Sequence, residues 1–165
     1  MRAYIVVDLG FGDAGKGLLT DYLVRHYNAG VVVRYNGGAQ AGHNVVTPDR
    51  RHHTFSQFGA GAFIPHVKSF LSRHVVIHPT ALLVEGDVLE QKGVPSPFSR
   101  LRVSDQALVI TPFHQAMNRI RETVRGDHRH GSCGIGVGEA VEDALLHPEN
   151  CGLAGDLKKP DTLRR

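Results

Sequence analysis

Lys16 and Asp13 lie in the one stretch whose residue types and spacing suit a polyphosphate, Leu9-Gly10-Phe11-Gly12-Asp13-Ala14-Gly15-Lys16-Gly17. Gly10-x-x-x-x-Gly15-Lys16 has the phosphate-loop spacing. In such a loop glycines let successive N–H groups turn toward phosphate oxygens. A helix start adds the positive end of its dipole, and Lys16 supplies a point charge. Gly10, Gly12, Ala14, Gly15 and Gly17 are thus candidate nucleotide contacts together with Asp13 and Lys16. The Ser or Thr that commonly follows the lysine and ligates Mg²⁺ is Gly17 here, so a metal must be held otherwise. Asp13 is the available carboxylate. Beside phosphates it repels them unless a cation or a proton-transfer task accounts for it. The alternative is a glycine-rich turn with no ligand.

Such a loop needs a strand before it and a helix after it. Tyr4 to Leu9 is an apolar, β-branched run that reads as a buried strand, and Gly15 to Tyr27 reads as a helix ended by Asn28-Ala29-Gly30. Val31 to Tyr35 is a second strand, followed by a glycine-rich loop from Asn36 to Asn44. Val45-Val46-Thr47 and His53-Thr54-Phe55-Ser56 pair around the turn Pro48-Asp49-Arg50. Val67 to Leu71 and Val75 to Ile77 are short strands, and a helix runs from Pro79-Thr80 to about Lys92, stopped by Gly93. Leu101 to Ser104 and Ala107 to Ile110 are strands, and Pro112 opens a helix to Arg125. The glycine-rich stretch Gly131 to Gly138 precedes a last helix, Glu139 to His147. This alternation predicts an α/β fold with a mainly parallel sheet and a phosphate-loop-like nucleotide site, a single domain over 1–165.

Composition agrees. With 41% hydrophobic and 21% charged residues the chain reads as soluble and globular, and no apolar run approaches a membrane span. The net charge of +3 is modest. Arg50-Arg51-His52-His53 and Arg119, Arg121, Arg125 have no interleaved aromatics, so they read as solvated faces or phosphate contacts and not as a nucleic-acid surface. Cys133 and Cys151 form no metal pattern and no disulfide is needed, which favours a reducing, cytoplasmic setting. Met1-Arg2-Ala3 leads straight into the first strand and leaves no room for a signal peptide. His74 and His78 are four apart, but the surrounding valines and Pro79 predict strand and turn, not a metal pair.

Asp13-x-Gly15-Lys16-Gly17, followed by Arg34-Tyr35-Asn36-Gly37-Gly38-Ala39-Gln40-Ala41-Gly42-His43-Asn44, resembles the adenylosuccinate synthetases. That family carries Gly-Asp-Glu-Gly-Lys-Gly and then Gly-Gly-Asn-Asn-Ala-Gly-His-Thr at nearly this distance. The likeness continues through Val76 to Leu82 and Leu108 to His114. It reaches Gly131-Ser132-Cys133-Gly134-Ile135-Gly136-Val137-Gly138-Glu139-Ala140-Val141-Glu142-Asp143, and Gly155-Asp156-Leu157 also has a counterpart. The resemblance implies a two-step, GTP- and Mg²⁺-dependent ligation in purine nucleotide biosynthesis. The 6-oxygen of IMP is phosphorylated, and the amine of L-aspartate then displaces that phosphate. Asp13 would take the N1 proton of the purine lactam. His43 would stabilise the 6-oxygen or the transferring phosphoryl group, and Lys16 would hold the donor phosphates. The metal would sit on Asp13 and the backbone carbonyl of Gly42, with Gly42 and His43 also lining the nucleotide site. Gln40, Ala41, Ser132, Cys133 and His147 match substrate-binding positions. The family's homodimer is implied as well.

Departures from the family pattern fall mostly on the acceptor side. Asp8 stands for a glycine, Gly10 for a glutamine, Ala14 for the loop glutamate and Gln40 for an asparagine. The Thr-Thr pair that cradles the 5′-phosphate is Ser132-Cys133, and a thiol is a weak donor. The arginine that the family lends across its dimer aligns with His147, leaving Arg125 or Arg129 to compensate. The family's chains are also twice this length or more, and their later part carries the guanine reader and the aspartate loop. Lys158-Lys159-Pro160-Asp161 reads as a turn, not as that guanine reader. The expectations are a segment of a longer ligase or a short form completed by a second chain. A paralogue with another acceptor, or a non-catalytic purine nucleotide-binding module, is the alternative. Asp13 and His43 together favour the enzyme, because a mere binder needs no base beside the phosphates.

Overall fold

The computed structural model describes residues 2–10, 14–159 and 161. Its centre is a parallel sheet of β1 (Val31–Gly38), β4 (Lys68–Ile77), β5 (Leu101–Val103) and β6 (Leu108–Val109). β1 runs along one edge of β4, while β5 and β6 follow each other along its other edge. The two short strands anticipated at Val67–Leu71 and Val75–Ile77 are thus one ten-residue strand. A separate antiparallel ribbon joins β2 (His43–Val46) to β3 (His52–Phe55) around the expected polar turn, pairing His43 with Phe55 and Val46 with His52.

Four helices follow the sequence signals closely. α1 (Lys16–Tyr27) ends at Asn28 in the left-handed region. α2 (Pro79–Gln91) starts under a side-chain cap, His78 Nδ1 accepting the Ala81 N–H at 3.2 Å, with Pro79 in its first turn. α3 (Pro112–Arg125) opens on a Thr111–His114 capping box. α4 (Val137–Leu146) starts two residues earlier than Glu139 because Gly136 itself makes the turn, at φ 88°. A Cβ at Gly136 would stand 2.7 Å from the His114 carbonyl carbon, so this position has no room for a side chain. His74 lies in β4 and His78 at the turn into α2, as the valines and Pro79 predict.

The main core lies between the β2–β3 ribbon, β4 and α2, where Val45, Phe55, Phe58, Leu71, Val75 and Leu89 are buried. A second cluster, Val24, Val32 and Val67, fixes α1 to β1, and a third, Val76, Ile110 and Ala140, fixes α4 to the sheet. The first expected strand, Tyr4 to Leu9, does not form, and Ile5 is 87% exposed. β-propensity yields a strand only where a neighbour supplies ladder hydrogen bonds and cover. Among the described residues β1 pairs with β4 alone. The segment is tied instead by Tyr4, whose ring stacks on Tyr27 at 4.2 Å between centroids.

Candidate functional site

Gly17 and His43 bring the two glycine-rich loops together. α1 begins at Lys16 after Gly15, and a Cβ at Gly17 would stand 2.5 Å from His43 Cβ and 2.8 Å from His43 Cα. The Ser or Thr of an ordinary phosphate loop is therefore excluded sterically, by the backbone of the residue expected to face the phosphoryl group. His43 opens β2 and is half-buried. Burial lowers its pKa to about 4, helped by the positive charges of Arg34 and Lys16 and opposed by Glu85. The ring is neutral at pH 7, with one N–H to donate and one nitrogen to accept.

Arg34 and Glu85 form a buried charged layer behind His43 that the sequence reading did not single out. Glu85 on α2 accepts the N–H groups of Ser56 at 2.9 Å, Gln57 at 2.7 Å and Phe58 at 3.3 Å, and so holds the chain leaving β3. Arg34 on β1 donates to the Ser56 carbonyl at 2.7 Å. Burial lowers the Arg34 pKa, and Glu85 opposes the shift. The partners are far apart in sequence, so no spacing signal announces them. Lys16 is engaged too, its ammonium donating to the Asp8 carboxylate.

Gly38 carries the second loop toward the third. A Cβ there would meet Gln40 Oε1 at 2.6 Å and Val137 Cγ2 at 2.9 Å, so the end of β1 packs on the start of α4. Gln40 and Gly42 are exposed and Ala41 is half-buried. A cleft of about 490 Å³ opens beside them, with Ala39, His53, His78, Thr80, Glu85 and Ile135 in its lining. Ser132 and Cys133 are exposed in the 131–136 loop, where α3 supports them. Glu122 accepts the N–H groups of Gly131 at 2.9 Å and Ser132 at 3.2 Å. Asn118 accepts the Ser132 hydroxyl at 2.9 Å and donates to Glu139 at 2.9 Å. Asn118 and Glu122 are four apart on one helix face, a signal that was present in the sequence.

The family model described as Adenylosuccinate synthetase matches residues 5–165. The chain belongs to the adenylosuccinate synthetase family. It is 37% identical over 153 residues to the adenylosuccinate synthetase of Clostridium beijerinckii, covering 93% of this chain and 34% of that one. To the enzyme of Clostridium novyi it is 38% identical over 143 residues, covering 87% and 33%. Among solved structures it resembles the fully ligated adenylosuccinate synthetase of Plasmodium falciparum, with a TM-score of 0.80, 26% identity, and 93% and 34% of the two chains covered. It also resembles the cyanophage S-2L succinoaminodeoxyadenylate synthetase (PurZ) bound to dGMP and dATP as an energy donor, with a TM-score of 0.72, 25% identity, and 93% and 41% covered. The chain spans about a third of the length of the curated relatives it matches.

Within this synthetase-family frame the candidate residues divide. Lys16, Gly17, His43, Gly42, Ala41 and Gln40 belong to two loops in contact, and Gly10, Ala14 and Gly15 lie exposed ahead of α1. Gly12 and Asp13 lie outside the described residues. Gly38 of the second loop packs on Val137, beyond the end of the 131–136 loop, while the Ser132 hydroxyl and N–H have partners on α3. His147 caps the opposite end of α4, roughly 15 Å along the helix from the 131–136 loop, and is not brought to that loop within this chain. Arg125 pairs with Glu122 and Arg129 donates to the Gly126 carbonyl. Arg51 and Arg121 pair with Asp49 and Glu142. Cys133 and Cys151 are free thiols. Among the described residues no helix is long and apolar enough to cross a membrane.

Proposed function

We propose that this chain supplies the phosphoryl-transfer part of an adenylosuccinate synthetase-type ligase, which joins the 6-position of IMP to L-aspartate at the expense of GTP. The observation that carries the reading is the seating of His43 against Gly17, at the start of the phosphate-loop helix. Asp13 takes the N1 proton of the purine lactam, the 6-oxygen attacks the terminal phosphorus, and the nucleoside diphosphate leaves. In the second half the aspartate amine attacks C6, loses a proton, and inorganic phosphate departs. Neutral His43 donates a hydrogen bond to the oxygen on which charge grows. Lys16 exchanges Asp8 for a donor phosphate. The exposed Gly42 carbonyl and the Asp13 carboxylate offer hard oxygen ligands of the kind Mg²⁺ prefers. Bound there, the ion would neutralise phosphate charge. A homodimer and the polypeptide that makes up the rest of the family's length complete the enzyme in this reading, whether in one chain or two.

A second reading keeps the chemistry and changes the nucleotides. Glu122 holds two amides of the loop expected to cradle the acceptor phosphate, and the PurZ structure pairs dGMP with an adenine donor. Titration calorimetry with GTP, ATP and dATP, and separately with IMP and dGMP, separates the two readings. Turnover in the native-length product tests the base. Asp13→Asn is expected to abolish phosphate release while triphosphate binding measured without Mg²⁺ stays nearly unchanged. Turnover that survives this substitution overturns the assignment.

A further inference from the structure

Glu122 is 9% exposed, yet it carries a full set of charged and polar contacts. One oxygen accepts the amides of Gly131 and Ser132, and the other accepts Arg125 at 2.6 Å. Burial pushes its carboxyl upward, but Arg125 and the amides of Ser132, His130 and Gly131 outweigh that and hold it below the usual glutamate range. It is therefore an anion at neutral pH. One turn away Asn118 takes the Ser132 hydroxyl, and at the far end of the loop Gly136 presses on the first turn of α3. The loop is pinned along a single helix. Among the described residues the N–H groups of Cys133 and Gly134 donate to no protein acceptor; Cys133 is exposed and Gly134 is half-buried beside the Arg119 side chain.

A carboxylate and a phosphate cannot share one pair of amides, because like charges repel. The first two amides are thus committed to the protein, and the next two remain for an anion. We propose that Glu122 is the positioning residue of the 131–136 loop: it holds Gly131 and Ser132 inward and so presents the amides of Cys133 and Gly134 to the phosphate of the acceptor nucleotide. The acceptor itself rests on the ligase reading above. The pinning does not. Glu122 touches neither nucleotide and acts through the loop backbone, and a carboxamide oxygen at the same place keeps part of that function.

The test combines two measurements on the isotope-labelled chain and its Glu122→Gln and Glu122→Ala variants. Amide hydrogen exchange at Gly131 and Ser132 is expected to accelerate about tenfold or more in Glu122→Ala. Glu122→Gln should retain most of the protection, with α3 and α4 amides unchanged throughout. Affinity for IMP or dGMP should fall about tenfold in Glu122→Ala and recover in Glu122→Gln, with triphosphate affinity constant. Unchanged exchange in Glu122→Ala overturns the pinning. Tighter monophosphate binding in that variant also overturns the proposal, since Glu122 would then be a competing anion. If the wild-type chain binds no monophosphate while exchange behaves as expected, the acceptor reading fails and the positioning of the loop stands.

Discussion

His43 works as a neutral imidazole because burial and two nearby cations, Arg34 and Lys16, oppose its protonation. Its pKa of about 4 lies below the unfolded value of 6.5. Between those pH values the unfolded chain binds the proton that the folded chain refuses, so stability rises with pH across that window and falls on acidification. Following the ring carbon shifts by NMR is expected to give a midpoint near 4, and a midpoint between 6 and 7 would show that the buried setting is wrong. Asp8 is the other residue whose neighbour defines it. Its carboxylate holds the Lys16 ammonium and adds negative charge where a triphosphate is to bind. Asp8→Asn should tighten triphosphate binding by about fivefold at low salt, in keeping with a partly buried ion pair worth about 1 kcal/mol. Weaker binding would instead make Asp8 a ligand of the nucleotide's cation.

At the scale of elements, the decisive contact is α1 against the start of β2. Gly17→Ala puts a Cβ within 2.5 Å of His43, so one of the two must move. The expected cost is about 1–3 kcal/mol, the usual range for overpacking a tight contact, read from denaturant unfolding. A displaced His43 should also titrate closer to its ordinary pKa. A Gly17→Ala chain of unchanged stability and unchanged His43 titration would refute the contact. Most helix boundaries were legible because their signals are local. Thr111 and Pro112 start α3, Pro79 starts α2 and Asn28 ends α1. The start of α4 was displaced because Gly136 turns left-handed against His114, a long-range contact that periodicity does not record. The same limitation concealed Arg34 and Glu85, whose partners become neighbours only on folding.

Across the whole molecule the sheet is covered unevenly: α4 packs on Val76 at the C-terminal end of β4, while the same face is open at the other end among the described residues. Val32 and Arg34 point into the buried side, whereas Val31, Val33, Tyr35 and Phe70 are exposed on the other, with Val33 beside Phe70 in register. Parallel sheets are ordinarily covered on both faces, and about two-thirds of the length of the relatives lies outside the part that this chain matches. An exposed apolar face of this kind binds hydrophobic dyes and promotes association. The isolated chain should therefore bind anilinonaphthalene sulfonate, and Val33→Lys should reduce that signal by half or more without changing the folded spectrum. Undiminished dye binding in Val33→Lys would mean that this face is not the source.

The sequence by itself determined the phosphate-loop spacing, the second glycine loop with His43, the strand and helix alternation and the family likeness. These features are written in adjacent residues, where steric freedom, capping and periodicity act locally. Tertiary structure decided the rest. It left Tyr4 to Leu9 outside the sheet, because a strand exists only with a partner. It emptied position 17 of any side chain by packing His43 against it, and made that imidazole neutral through Arg34 and Lys16. It also set Glu122 beneath the Ser132 loop. Each of these outcomes depends on close approach or charge between residues distant in the chain, and such distances are fixed only when the core has formed.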